Sequence, residues 1–216
     1  MIQIKLFVML GVFLALRGVY ANVIQNEDLC KDPSFDTMFD TPDGKVYIFK
    51  KDKYYELQGT TLGDGPKPIS DKWEGLPDSI DGAFSQNGTT FFFKNGRYWR
   101  FTEYKMDQSY PKRLSATYSE IPKKIDDVTV GIDGKVYFFA GRKVYRMDEF
   151  NEKSTTVMIE YISDGWKDIP NHCDAVHYSR IWGITFFFKN DKFYAFGSGP
   201  AYPIPTTSYF FDCQRI

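Results

Sequence analysis

One sequence pattern occurs four times along the chain, and it limits the folds that the chain can adopt. In each copy a glycine precedes an aromatic-rich run, a short polar turn and a second aromatic run; the glycines are Gly44, Gly88, Gly134 and Gly183. The spacings between them are 44, 46 and 49 residues. Two short runs of this kind around a Gly, Asn or Asp turn are typical of a β-hairpin. We therefore expect one hairpin in each copy, with the glycines at positive φ.

A further short strand precedes each glycine, and an aspartate stands at its start. These aspartates are Asp36, Asp81, Asp126 and Asp174, at intervals of 45, 45 and 48 residues. One small sheet cannot bury both of its faces, whereas four small sheets around an axis pack face against face. The repeat predicts an all-β, four-bladed β-propeller with blades at approximately 30–77, 78–122, 123–170 and 171–213. A β-sandwich with chance self-similarity is the alternative, and the same order of cues in every copy disfavours it.

Residues 1–21 have the composition of a secretory signal peptide. Lys5 is followed by an apolar run over residues 6–16, and the small residues Val19 and Ala21 suit the cleavage positions. The run is shorter than the about 20 apolar residues of a membrane span, which disfavours a transmembrane anchor. We predict a secreted, extracellular protein with a short segment at 22–29 before the propeller and no membrane span. The net charge of −1 gives no general attraction to nucleic acid.

Export places the cysteines, Cys30, Cys173 and Cys213, in an oxidising compartment. One pair and one remaining thiol is the simplest arrangement. A disulfide between Cys30 and Cys213 joins the first blade to the last and seals the ring. Cys173 is then expected to be a buried free thiol that packs as a small hydrophobe. Pairing of Cys173 with Cys30, or with another chain, stays as the alternative.

The order of these motifs resembles hemopexin repeats over residues 30–213. The similar elements are Cys-x5-Asp at 30–36, Trp-x-Gly-Leu-Pro at 73–77, Tyr-Trp-Arg at 98–100 and Gly-x-Val-Tyr-Phe-Phe at 134–139. This resemblance implies a four-bladed propeller of the kind found in hemopexin, vitronectin and matrix metalloproteinases. Such domains mostly bind proteins, matrix or small ligands and do not catalyse reactions.

The resemblance also implies ions in the central channel. Backbone carbonyls of Asp36, Asp81, Asp126 and Asp174 would hold a cation, and carbonyl oxygens suit Ca²⁺ or Na⁺; a Cl⁻ ion would lie nearby. The alternative is that these aspartates only cap the strand starts by accepting from local amides. The family commonly has Asp-Ala, whereas this chain has Asp-Thr, Asp-Gly, Asp-Asp and Asp-Ala. The additional carboxylate of Asp127 either adds negative charge near the channel or faces solvent.

No motif for catalysis occurs in the sequence. His-Glu-x-x-His, Gly-x-Ser-x-Gly and Gly-Lys-Ser/Thr segments are all absent, so we predict that the chain is not an enzyme. The predicted function is recognition of an extracellular protein or matrix component, in an oligomeric state that the sequence leaves open. The alternatives are a carrier of a small ligand, haem or a polyamine, and an inhibitor or decoy of metalloproteinases.

The two histidines bear on the haem alternative. His172 and His177 are the candidate haem ligands, but their spacing of five puts them on opposite faces of a strand. The favoured interpretation is an exposed His172 in a loop and a His177 satisfied within the blade.

Asn87-Gly88-Thr89 is a glycosylation sequon in a predicted hairpin turn, and a bare Asn-Gly turn fits the sequence equally well.

Overall fold

A computed structural model describes residues 28–59, 61–63, 65–153, 156–197, 199–211 and 213. The predicted signal peptide at 1–21 lies outside the described residues, as do residues 22–27 of the predicted segment that follows it. Within the described residues, no helix is both long enough and apolar enough to cross a bilayer.

Eighteen strands in the described part of the chain form four antiparallel sheets. Blade 1 contains β1 (Thr37–Asp40), β2 (Val46–Lys50), β3 (Lys53–Gln58), β4 (Thr61–Leu62) and β5 (Lys67–Pro68). Blade 2 contains β6 (Gly82–Gln86), β7 (Thr89–Lys94), β8 (Arg97–Thr102), β9 (Lys105–Met106) and β10 (Lys112–Arg113). Blade 3 contains β11 (Asp127–Val130), β12 (Val136–Ala140), β13 (Lys143–Met147) and β14 (Met158–Tyr161). Blade 4 contains β15 (Ala175–Ser179), β16 (Ile184–Lys189), β17 (Lys192–Phe196) and β18 (Pro203–Pro205). Helical turns at Ile162–Gly165 and Thr206–Tyr209 follow β14 and β18.

The predicted hairpins are confirmed. β2 and β3, β7 and β8, β12 and β13, and β16 and β17 pair as antiparallel neighbours. The four repeat glycines have φ values of 82°, 77°, 76° and 65° in chain order. A residue with a Cβ is strained in this region, so the repeated glycines allow each inner strand to turn into the second strand of its blade.

The four sheets form a closed ring. Each inner strand contacts the next in the order β1, β6, β11 and β15, and β15 contacts β1 again. This arrangement confirms the predicted four-bladed β-propeller, and the β-sandwich alternative is wrong. A cavity of about 20 Å³ lies on the axis, lined by Asp40, Ser85, Thr129 and His177 among others, one from each inner strand.

Aromatic side chains fill the spaces between blades. Phe92 packs with Phe39 and Trp73 between blades 1 and 2, whereas its neighbour Phe93 packs with Phe138 between blades 2 and 3. Successive residues of a strand point to opposite faces, so one aromatic run serves two interfaces. Full burial of a phenylalanine side chain contributes about 1.5–3 kcal/mol, so these interfaces are the main source of stability.

A disulfide seals the ring. Cys30 and Cys213 are bonded across a sequence separation of 183 residues, with their Cα atoms 5.6 Å apart. The predicted pairing is confirmed. Cys173 is a free, buried thiol, also as predicted.

Candidate functional site

The four repeated aspartates stand immediately before the inner strands. The backbone N–H of each donates to the carbonyl of a phenylalanine on the second strand of its blade, at 2.7–2.8 Å. Each carboxylate also accepts a backbone N–H from the hairpin turn of its own blade. These turn donors are Lys51, Asn95, Gly141 and Asn190, at distances of 2.6, 2.6, 2.6 and 2.5 Å. The side chains therefore cap the hairpins, which is the structural role that the sequence left open beside ion binding.

Burial affects two of these aspartates. It raises the pKa of Asp36 and of Asp81, and hydrogen bonds from the turn amides partly offset that effect. One oxygen of each carboxylate is thus engaged in a turn. A cation held by backbone carbonyl oxygens, as the resemblance implies, would leave these hydrogen bonds in place.

Asp127 follows the third of these aspartates and is fully buried. Its Oδ1 accepts from the Thr37 hydroxyl at 3.0 Å and from its neighbour's amide, Val128 N–H, at 2.8 Å. Its Oδ2 accepts from the Val176 amide at 2.7 Å, and the Ala83 backbone also favours the ionised form. Burial raises the pKa of Asp127 well above its ordinary value, while these donors favour the ionised form. The alternative in which Asp127 faces solvent is wrong.

Three charged or titratable side chains line the small axial cavity: Asp40, His177 and Arg180. His177 Nε2 lies 3.7 Å from Asp40 Oδ1, and Arg180 Nε lies 4.0 Å from Asp40 Oδ2. Burial lowers the pKa of His177, and the Asp40 charge and a hydrogen bond with the Met38 backbone oppose that shift. The imidazole is therefore held in its neutral form between blades 4 and 1.

Comparison with known proteins identifies the family. The Hemopexin family model matches residues 35–78, 80–122 and 125–171, which together make up more than half of the chain. The chain belongs to the hemopexin family. The matched ranges cover the first three repeats, and the fourth blade follows from the structure.

Relatives of this hemopexin-like domain are longer proteins. Vitronectin from Oryctolagus cuniculus is 32% identical over 165 residues, covering 66% of this chain and 34% of the relative. Interstitial collagenase from Equus caballus is 36% identical over 121 residues, covering 52% of this chain and 25% of the relative. The chain therefore spans about a third or less of the length of these relatives. A plant albumin from Cicer arietinum showing hemagglutination has the same fold, with a TM-score of 0.69 at 19% identity over 84% of this chain and 96% of the albumin.

The two candidate haem ligands are not brought together in the hemopexin-like domain. His172 is exposed in the turn before β15, where its backbone N–H donates to the Gly141 carbonyl. His177 is buried within β15 and faces Asp40. The structure thus places both histidines where the favoured sequence interpretation put them, in a loop and within the blade.

The sequon asparagine lies at an exposed hairpin turn between β6 and β7. Asn87 has φ of 52°, and its Nδ2 donates to Glu149 Oε1 at 2.7 Å. A glycan would be attached to this nitrogen, next to its contact with Glu149 of blade 3.

The remaining thiol is an unreactive group. Cys173 lies in a buried cluster and its Sγ is 3.1 Å from the Pro170 carbonyl oxygen. Burial raises the pKa of this thiol to about 12, so little thiolate forms near neutral pH.

Two surface features were missed by the sequence analysis. The first is the exposed edge of blade 3, β14, whose Met158, Ile159 and Tyr161 side chains are 51%, 48% and 54% exposed. The second is an open cleft of about 680 Å³ between blades 2 and 3. Tyr98, Tyr118 and Phe150 line this cleft together with charged residues, of which Lys112 and Glu152 pair with each other and Arg100 lies 2.9 Å from Asp107. Outer strands and inter-blade clefts lack a repeated sequence signal.

Proposed function

We propose that the chain is a secreted, non-catalytic binding protein that recognises an extracellular protein or matrix component through blades 3 and 4. The observation that carries this proposal is the distribution of exposed large apolar side chains. Among the described residues, Met106 is the one such side chain in blades 1 and 2. The others all lie in blades 3 and 4: Ile132, Met158, Ile159, Tyr161, Ile181, Trp182, Tyr202, Ile204 and Tyr209. Exposed apolar groups concentrated on one part of a surface mark interaction sites.

Within this half, β14 is the best candidate for direct contact. The outer strands β5 and β10 have two residues each and carry lysine, arginine or proline, and β18 has the sequence Pro-Ile-Pro. Those features protect sheet edges from pairing with another chain. β14 has four residues, Met-Ile-Glu-Tyr, contains no proline and is the terminal strand of its sheet. An extended segment of a partner can therefore add to this edge through backbone hydrogen bonds.

Local charge indicates the chemistry of that segment. Glu160 on β14 is already paired with Arg146 at 3.1 Å. Arg142 and Lys143, beside the end of β14, are exposed, and in the part of the chain that the structure describes neither is paired with a carboxylate. We infer that the partner supplies an extended, apolar segment with an acidic residue near one end.

A matched pair of variants tests the proposal. The double variant Ile159→Glu/Tyr161→Glu changes the β14 edge, and Met106→Glu changes a similarly exposed apolar residue in blade 2. Partners captured from the native extracellular fluid and measured by quantitative mass spectrometry should fall at least about tenfold with the double variant, since hot-spot residues each contribute 2 kcal/mol or more. Met106→Glu should retain them. Equal capture by all three proteins would exclude β14 as the binding edge, and self-association that the double variant abolishes would identify a second copy as the occupant.

Secretion and glycosylation have their own test. Expression in secretory cells should yield medium containing a protein that begins at Asn22, because cleavage is expected after Ala21. If Asn87 carries a glycan, peptide N-glycosidase treatment removes about 2 kDa or more, and Thr89→Ala abolishes the change. Retention of residues 1–21 in the medium would contradict the signal peptide.

We also propose a cation on the axis, held by backbone carbonyls of Asp36, Asp81, Asp126 and Asp174. The support is the buried Asp127 carboxylate one residue beyond this ring, for which no cationic side chain forms an ion pair among the described residues. A bound Ca²⁺ or Na⁺ would supply that missing positive charge. Midpoints of thermal unfolding measured in Ca²⁺, in Na⁺ with EDTA and in K⁺ with EDTA should differ if a specific ion binds; identical midpoints would exclude it.

Small-ligand transport is the second candidate function, and the cleft between blades 2 and 3 is its location. Its aromatic lining suits a flat or cationic ligand, but its described lining contains no histidine for a haem iron. Titration with haem at the Soret band and calorimetry with spermine separate the two ligands. Absence of a spectral change and of heat at micromolar concentrations would remove this function.

The decoy alternative rests on the similarity to interstitial collagenase. A decoy competes with the equivalent domain of a metalloproteinase for its partner. Added protein should then reduce binding of the collagenase to collagen in proportion to its concentration, and unchanged binding at a large excess would exclude this function.

A further inference from the structure

The inner strands of all four blades begin around a single carboxylate. Blade 1 offers the Thr37 hydroxyl, blade 3 the Val128 amide and blade 4 the Val176 amide as donors, and the Ala83 backbone of blade 2 also favours the ionised carboxylate. We propose that these donors form an anion-binding ring and that Asp127 fills it permanently. The chain thus provides its own anion, and no free anion enters the ring of the native protein. This inference is independent of the proposed binding function.

The donors suit an anion. They are neutral N–H or O–H groups, and those of Thr37, Val128 and Val176 reach both oxygens of the carboxylate at 2.7–3.0 Å. The site is closed to water, because Asp127, Thr37 and Val176 are fully buried. Without an acceptor these donors would be buried and unpaired, which is costly. The fold therefore requires an acceptor among these strand starts, and the Asp127 carboxylate supplies it.

The neighbouring residues are adapted to Asp127. A Cβ on Gly82 would lie 2.6 Å from Asp127 Oδ1 and 3.0 Å from the backbone nitrogen of Val128, so only glycine leaves room for the carboxylate. Thr37 supplies a hydroxyl where an alanine would supply none. Thr37, Gly82 and Asp127 are the three positions at which this chain departs from Asp-Ala, and all three meet at one point.

Removal of the carboxylate should convert the ring into a site for a small monovalent anion. We expect Asp127→Ala to unfold at a lower temperature than the wild-type protein in sodium gluconate. Replacing gluconate by chloride or bromide at constant ionic strength should raise that temperature in a saturable manner. At a halide concentration 100 times the Kd, the ratio of folded to unfolded protein rises about 100-fold. The wild-type protein should unfold at the same temperature in both salts.

Asp126→Ala is the matched control. Its carboxylate accepts the Gly141 amide in a turn and lies outside the ring, so this variant should be destabilised without any response to halide. A wild-type response equal to that of Asp127→Ala, or no response in a folded Asp127→Ala, would overturn the proposal.

If Asp127→Ala requires halide in order to fold, recovery of folded protein in chloride but not in gluconate supports the same conclusion. If Asp127→Ala folds in neither salt, the proposal is tested on crystals of the wild-type protein. Crystals soaked in bromide should show no anomalous peak among the four strand starts, and a peak at that position would contradict the proposal.

Discussion

Trp73 and Trp166 stand at corresponding positions near the ends of blades 1 and 3, but their surroundings differ. Trp73, between blades 1 and 2, is 0% exposed and contacts the rings of Phe39, Tyr47 and Phe49 among others. Trp166, between blades 3 and 4, is only partly buried. The first half encloses its aromatic groups, and the second leaves part of them in contact with solvent.

The same contrast extends to the surface. At the interface of blades 1 and 2, the chain's own Lys72 covers the rings of Tyr47 and Tyr104, with Nζ at 4.5 and 4.4 Å from their centroids. Trp182 and Tyr202 of blade 4 are exposed instead. Copies of one repeat thus differ in exposure: blades 1 and 2 enclose their large apolar side chains, and blades 3 and 4 leave many of them exposed, on the surface proposed to bind a partner.

Opening the disulfide should have the largest effect on stability. Reduction, or Cys30→Ser/Cys213→Ser, should lower the free energy of unfolding by roughly 5 kcal/mol, because a closed loop of this length strongly restricts the unfolded chain. Denaturant titration measures the loss. Hydrogen exchange on the reduced protein then sharpens the comparison, since amides of blades 3 and 4 should exchange before those of blades 1 and 2. Uniform exchange would argue against two unequal halves.

The two tryptophans give a direct comparison. Trp73→Ala should lower the free energy of unfolding by about 3–5 kcal/mol, the usual loss for a fully buried large aromatic. Trp166→Ala should cost less, because its ring is partly in water in the native state. Chemical denaturation of both variants decides the point. If the two losses are equal, the enclosed and open interfaces do not differ in strength.

His177 tests the junction between the halves, where blade 4 meets blade 1. Its folded pKa is lowered by burial, so the unfolded state binds a proton more readily as the pH falls through about 6.5. Stability should therefore be fully present above that pH and decrease below it, by about 1.4 kcal/mol for each unit of difference in pKa. His177→Gln should flatten the profile between pH 5 and 7. If His177→Gln leaves the profile unchanged, the pH dependence of stability arises from another group.

The variants of exposed side chains should have the smallest effect on stability. Ile159→Glu and Met106→Glu alter exposed side chains, so each should change the free energy of unfolding by no more than about 0.5 kcal/mol. A larger loss for Ile159→Glu would show that β14 contributes to packing, and reduced partner capture could then not be assigned to recognition.

The sequence predicted the propeller because its signals are local. Each hairpin carries its own turn glycine and aromatic runs, and the interval between copies shows that one unit is repeated. The covalent closure between Cys30 and Cys213 followed from the ring itself. These features need no knowledge of how the blades are oriented.

The role of Asp127 could not be predicted in the same way. Whether its carboxylate faces water or the axis depends on Thr37, Ala83 and Val176, which belong to three other blades. The space that it occupies depends on the absence of a side chain at Gly82. The β14 edge was missed because outer strands carry no repeated motif. Whether Ile159 or Tyr161 is exposed depends on whether another part of the chain packs over it.

The adjacency of the two bridged cysteines has a practical consequence. With Cα atoms 5.6 Å apart, the first and last blades can be joined by a few glycine residues instead of a sulfur bond. A circularly permuted chain that starts at the junction after blade 1 would keep every blade intact. Its ends would then meet at the junction of blades 1 and 2, so closure of the ring would depend on packing there and its stability should not change on addition of a reducing agent.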